Sequence, residues 1–185
     1  MALTTADVDL AHHDGQAAEA MLDELADAYA DAYGVEPGEK SEAFRGRAQS
    51  AFKAAGFDLV TARAAGELVG FVFGYRLRPE RGWWDGLDPE PPPGFTEETG
   101  TRTVVLSEIE VRKAWQRQGL GRLLQAEFLR DRAEERATLA TGLEVPSQHV
   151  YPRWGWTRVG QVPGKLGAYF SAYHRFVVSL PLPRP

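Results

Sequence analysis

Cysteine is absent from this chain of 185 residues. That absence excludes disulfide scaffolds, thiolate-bound zinc, iron–sulfur clusters and thiol nucleophiles, and it fits a reducing compartment. Histidine is scarce: His12, His13, His149 and His174 show no metal-ligand spacing, so no metal is expected. No apolar run reaches the roughly 18 residues of a membrane span. The first ten residues lack both a basic segment and an apolar run, so a secretory signal is not expected and a cytoplasmic location without a membrane partner is. Positive charge is not in excess either. Lys and Arg number 21 against 26 Asp and Glu, a net charge of -5, which gives no electrostatic reason to expect nucleic acid. No internal repeat or low-complexity linker divides the chain, and at about 150 residues per domain a single domain over 1–185 is expected.

What is present suits an ordinary globular core, with 43% hydrophobic and 25% charged residues. From His13 to Tyr33 the apolar residues Ala17, Met21, Leu22, Leu25, Ala28, Tyr29 and Ala32 recur at three and four, which predicts one helix stopped by Gly34 and Pro37. The acidic residues Asp23, Glu24, Asp27 and Asp31 read as its solvated face, the alternative being attraction of a cationic substrate. A second helix is predicted from about Ser41, its N-cap after Gly38, to Ala55 before Gly56. Phe57–Arg63 and Glu67–Arg76 are β-rich and joined through Ala64-Ala65-Gly66 in hairpin fashion. Further along, a helix is predicted over Gly119 to about Ala137, a short strand over Thr138–Leu143, and a closing strand over Ala168–Leu180 before a Pro-rich tail, Pro181–Pro185.

The segment Arg78–Arg102 differs in kind. It carries Pro79, Pro89, Pro91, Pro92 and Pro93 and the pair Trp83-Trp84. Loops longer than about 12–15 residues in a compact domain tend to be functional lids or disordered, and adjacent tryptophans argue against disorder. The tryptophans either cover one edge of the core or wall a substrate.

Chemistry concentrates after that loop. The predicted strand Thr103–Val111 holds two carboxylates, Glu108 and Glu110, inside an apolar run. Two residues apart, they share one face of a regular strand, where mutual repulsion would raise one pKa toward that of a base working near neutral pH. A β-bulge would change the parity and turn one of them outward. The bland alternative for both is ion pairing with the nearby arginines. Arg112, Lys113, Arg117 and Arg122 then crowd a turn in which Gly119-Leu120-Gly121 opens a helix. Unpaired N–H groups at a helix start, and glycine beside them, suit a phosphate. The pattern is neither the dinucleotide fingerprint nor a P-loop.

The run Val111-Arg112-Lys113-Ala114-Trp115-Gln116-Arg117-Gln118-Gly119-Leu120-Gly121 resembles the Q/R-x-x-G-x-G/A acetyl-CoA motif of the GNAT superfamily of N-acetyltransferases. Tyr151-Pro152-Arg153-Trp154-Gly155-Trp156 resembles that family's Tyr-x-x-x-Gly-aromatic segment. The likeness follows the order of elements from about Asp7 to Leu180. It implies an α/β fold with a mixed, splayed central β-sheet flanked by helices, and acetyl-CoA as acyl donor in the cleft. By position, the backbone of Ile109 and Val111 would meet the acetyl and pantetheine amides. Gln116, Arg117, Gln118, Gly119, Leu120, Gly121 and Arg122 would hold the pyrophosphate. Glu108 stands where family members often carry the base, with Glu110 as its neighbour, and Tyr151 stands where the leaving thiolate is protonated. Two departures concern Tyr151: Pro152 disfavours the helical turn that carries it, and Glu144 replaces an Asn common seven residues earlier, so the alternative for Tyr151 is aromatic packing with Trp154 and Trp156.

The implied activity is acetyl transfer to the amine of a small molecule, with Trp83, Trp84 and Phe95 of the 78–102 lid as acceptor-binding residues and a homodimer as one assembly. The rivals are a protein or peptide N-acetyltransferase, which needs an open groove, and a non-catalytic acyl-CoA-binding module.

Overall fold

The two β-rich runs form a hairpin, strands β2 (Asp58–Ala64) and β3 (Glu67–Arg76), turned at Ala65 and Gly66, whose φ values of 49° and 85° place both in the left-handed region that tight hairpins require. The computed structural model describes residues 8–34, 39–165 and 168–182, and at 39 and 40 only the backbone. Pro37 and Gly38, expected to separate the first two helices, and most of the Pro-rich tail lie outside the described residues. Seven strands run in the order β1-β2-β3-β4-β5-β7-β6, a mixed sheet. Contacts gather the chain into two units, Met1–Tyr75 with Leu106–Arg130, and Arg76–Val105 with Asp131–Pro185. Strand β4 (Thr103–Val111) contributes to both.

In the first unit, β1 (Asp9–His13) pairs antiparallel with β2. The single helix expected over His13–Tyr33 is two: α1 (Gly15–Ala20), capped by Asp14 accepting from the Ala17 N–H at 2.9 Å, and α2 (Leu22–Tyr33), ending at Gly34 in the left-handed region. Met21, at φ -98° and ψ 2°, breaks the run, and His13 belongs to the strand because Leu59 pairs with it. Helix α3 (Glu39–Phe52) starts before Ser41, which is buried inside it rather than capping it. Its Phe44 stacks on Tyr29 at 4.5 Å and meets Phe71 and Phe73 of β3 at 6.0 and 6.3 Å. These rings, with Leu25, Ala48, Leu59 and Leu68, form the core on that face of the sheet. Helix α4 (Leu120–Leu129) buries Leu120, Leu124 and Phe128. At Gly70 of β3 a Cβ would stand 2.9 Å from the Glu110 carbonyl and 3.1 Å from Leu124 Cδ1, so its hydrogen is what allows β4 and α4 to close on β3.

In the second unit, Thr103–Val105 of β4 pair in parallel with the start of β5 (Arg136–Gly142), and β5 pairs antiparallel along its length with β7 (Ala172–Ser179), which in turn pairs with β6 (Thr157–Pro163). The helix predicted to Ala137 ends at Leu129, with Asp131 at φ 57°, because Arg136 and Ala137 are recruited as strand by Ser179 and Val178. Strand β6 carries no clear apolar alternation and was not expected. The 78–102 segment is ordered by a 3-10 turn at Pro79–Arg81 and by Asp88 and Gln161 exchanging both backbone bonds at 2.9 Å. No helix among the described residues is long and apolar enough to cross a membrane.

Candidate active site

Both carboxylates of strand β4 reach helices of the first unit. Glu108 Oε1 accepts from Arg47 Nε of α3 at 3.0 Å, and Glu110 Oε1 accepts from the Tyr33 hydroxyl of α2 at 3.3 Å. The Glu108 side chain is 12% exposed and Glu110 is 8% exposed. Burial pushes the Glu108 carboxyl up, and the Arg47 guanidinium pulls it partly back. Glu110 stands well above the ordinary carboxylate range, first through burial and then through the Glu108 charge. The Tyr33 phenol, although its side chain is half exposed, stays a donor to Glu110. One carboxylate is therefore held with a cation and the other tends to keep its proton, an arrangement able to take up and pass on protons.

The ion-pair partner is not one of the arginines beside the strand. Arg112 instead bonds Asp27 at 2.6 Å and the Leu68 carbonyl at 2.6 Å. Arg47, Tyr33 and Tyr29, over whose ring Arg47 lies at 6.0 Å, escaped sequence reasoning. Only the spacing of Tyr29 and Tyr33 on one helix face hinted at them.

From Val111 the chain enters a 3-10 turn, Lys113–Trp115, with Trp115 buried. The Gln116 amide donates to the Val111 carbonyl at 2.9 Å and the Ala32 carbonyl at 3.1 Å, and Gln118 donates to the Ala114 carbonyl at 2.7 Å. Both glutamines thus brace the turn. Arg117 at φ 62° and Gly119 at φ 88° bend the chain so that α4 begins at Leu120. A Cβ at Gly119 would meet nothing within 4 Å, so open space lies beside the first N–H groups of a ten-residue helix. Arg117 and Arg122 are exposed there. The residues fit a pyrophosphate: N–H donors without intrahelical partners, two guanidinium groups and room to approach.

Tyr151 belongs to the second unit, in a 3-10 turn over Tyr151–Trp154. Pro152 is accommodated at the start of that turn, where no N–H is needed, and the Trp156 N–H closes on the Tyr151 carbonyl at 3.1 Å. The buried Tyr151 ring packs with Trp154, Trp156 and Phe176 at 5.8, 6.2 and 5.7 Å. Trp83 lies under Arg175, whose guanidinium carbon is 4.0 Å from the ring centre, and donates to Thr138 at 3.1 Å. Trp84 and Phe95 enclose Arg136 at 5.1 and 4.6 Å. The structure therefore brings Glu108, Ile109, Glu110 and Val111 together with the 116–122 turn in one unit, and Tyr151, Trp83, Trp84 and Phe95 in the other. Among the described residues no group of three or more His, Asp or Glu could hold a metal ion.

Residues 18–156 match the family model described as the acetyltransferase (GNAT) family. No curated protein matches the chain. Solved structures do: a protein from Desulfovibrio desulfuricans assigned to the GNAT acetyltransferases (TM-score 0.67, 16% identity, 94% of this chain and 99% of that one). An aminoglycoside 6'-N-acetyltransferase complexed with coenzyme A is similar at TM-score 0.63 and 15% identity, covering 96% and 99%. The ribosomal-protein-S18-alanine N-acetyltransferase of Escherichia coli is similar at TM-score 0.62 and 11% identity, covering 96% of each chain. At these identities the likeness is one of fold.

Proposed function

We propose that this chain, which belongs to the acetyltransferase (GNAT) family and is thereby an acyltransferase, moves an acetyl group from acetyl-CoA directly to the amine of a small molecule. The observation that carries this reading is the buried Glu108–Glu110 pair on β4, followed at once by an anion-binding turn. The coenzyme A in the complex of the similar aminoglycoside transferase supports an acyl-CoA donor here. Bound in the turn, the donor would supply an activated thioester carbonyl. The chain's part is then to place the pyrophosphate on the α4 N–H groups, Arg117 and Arg122, and to align the donor's amides on the backbone of Ile109 and Val111. Glu108 takes the proton of the acceptor amine, directly or through water, after Arg47 yields its place, with Glu110 as its neighbour. Tyr151 protonates the departing thiolate. The whole of 1–185 acts as one domain in the cytoplasm, with 78–102 as the acceptor-side lid and Trp83, Trp84 and Phe95 lining it.

The test is thiol release from acetyl-CoA in the presence of small amines, aminoglycosides and peptides, with wild type and Glu108→Gln side by side. Amine-dependent release that falls by about a hundredfold or more in the variant is expected, the scale of a lost general base. Equal rates in both proteins would remove Glu108 from the mechanism, and release with peptides alone would move the acceptor to a protein chain.

A further inference from the structure

Arg136 and Arg175 are both buried in the second unit, and their surroundings differ. Arg136 is ion-paired with Glu98 at 2.8 Å. Arg175, on β7 and 8% exposed, has no carboxylate within ion-pair distance among the described residues. Its Nε donates to the Trp83 carbonyl at 3.0 Å, and its guanidinium carbon lies 4.0 Å from the centre of the Trp83 ring, so one edge and one face of the group are taken. The outer nitrogens, Nη1 and Nη2, make no hydrogen bond among the described residues. The fully buried polar atoms without a partner are Glu98 Oε2, Thr141 Oγ1 and His174 Nδ1; the two Nη atoms are not among them and so remain reachable from solvent. Burial pushes the guanidinium down to about 10, which leaves it charged at neutral pH, and only the Tyr173 phenol works against that push. A desolvated cation without a counter-charge is costly, and its open edge is where an anion gains most.

The neighbours select the kind of anion. Arg175 pairs with Ala140 of β5 on one side and Gly160 of β6 on the other, so these three share a face of the sheet with Thr138, Gly142 and Tyr173. On the Gly160 side the loop closes in: a Cβ at Gly160 would stand 2.5 Å from the Asp88 carbonyl. On the other side the half-buried Ala140 extends no further than a methyl group. Aromatic rings border the same face, Trp83 bonded to Thr138 at 3.1 Å and Tyr173 beside Phe170 at 5.6 Å. The Tyr173 hydroxyl accepts from the Phe170 N–H at 3.2 Å, which leaves its own proton to donate. With Nε committed, the guanidinium presents its end, a planar pair of N–H donors that matches the two oxygens of a carboxylate. A single cation also balances the one charge of a carboxylate better than the nearly two of a phosphate.

We infer that this face of the second unit is a binding site for a carboxylate on an aromatic or short apolar stem, held end-on by the Nη pair of Arg175, with Trp83 stacked on the guanidinium and Tyr173 beside it. The inference does not depend on where acyl transfer takes place, and binding is measurable with no acyl donor present.

Benzoate is the probe, with benzamide as the uncharged molecule of similar shape and inorganic phosphate as the competing anion, and binding is followed by calorimetry and by tryptophan fluorescence. Saturable binding of benzoate but not benzamide is expected, weakened at least about tenfold in Arg175→Gln, as for the loss of a charged hydrogen bond. Arg175 also stacks on Trp83, so its loss can loosen the loop. Arg175→Lys keeps the charge and the apolar stem without the planar fork, and is expected to weaken benzoate severalfold. In the wild-type protein benzoate is expected to shift the Arg175 guanidinium N–H signals in NMR spectra. Absence of saturable benzoate binding, equal binding of benzamide, tighter binding of phosphate, an affinity unchanged in a folded Arg175→Gln or in Arg175→Lys, or guanidinium signals that benzoate leaves in place would each overturn the proposal.

Discussion

At Glu110 burial and the neighbouring Glu108 act in the same direction, and both hold the carboxyl above its ordinary range. A carboxyl raised on folding contributes stability that is fully present below the unfolded value, near pH 4, and is lost as pH rises through the folded value. Glu110→Gln, which cannot ionise, is therefore expected to be level with or below wild type at pH 4 and to gain on it steadily up to pH 8 in urea melts. A stability difference independent of pH would show that the carboxyl is not strained. Arg47 works on Glu108 in the opposite sense. In Arg47→Ala the Glu108 carboxyl rises further, and the acid limb of the kcat/KM profile is expected to move to higher pH; a limb that stays in place would separate Glu108 from the rate. The carboxylates were legible in the sequence as an anomaly in an apolar strand. Their partners were not, because Arg47 and Tyr33 lie 61 and 77 residues away in the chain.

Among the elements, the turn into α4 shows local chemistry settling local structure. Gly119 sits at φ 88° with open space where a Cβ would go, so its substitution is a question of backbone conformation alone. Gly119→Ala is expected to cost about 1–2 kcal/mol in denaturant melts, the strain of a left-handed residue bearing a Cβ. It is also expected to weaken acyl-CoA binding in calorimetry, since the new methyl group enters the open side of the turn. Full stability with unchanged affinity would mean that the turn tolerates another conformation. The β2–β3 hairpin and β4 were read from the sequence nearly to the residue, because two-residue turn chemistry and continuous apolar runs are local signals. The edge strands β1 and β6 were missed. Each has a single strand neighbour in the sheet, with β6 bridged on its other side only by Asp88 at Gln161, and mixes polar residues through its length, as in Asp9–His13, so no alternation marks it. The over-long α4 has the opposite cause: residues 130–137 favour a helix locally, and pairing of Arg136 with Thr103 and Ser179 overrides that preference.

For the whole molecule, a net charge of -5 coexists with a turn that gathers Arg117 and Arg122 at a helix start. Attraction of a polyanionic donor to that turn acts at an exposed surface and is screened within about 8–10 Å at moderate salt. The KM for acetyl-CoA is accordingly expected to rise severalfold between low salt and half-molar NaCl, and to do so less in Arg122→Gln; a KM indifferent to salt in both would leave the pyrophosphate to the backbone N–H groups alone. The sequence by itself determined the class of fold, the family, the strand that carries the carboxylates and the turn that suits a phosphate. These rest on residue types at fixed short spacings, where the physics is local. Tertiary structure alone decided that Glu108 is met by Arg47, that Glu110 lies under Tyr33, and that Tyr151 packs on Phe176 as well as on its sequence neighbours Trp154 and Trp156. Each of these depends on burial and on contacts between residues distant in the chain, and a side chain's dielectric and its partners exist only once the sheet and helices have closed around it.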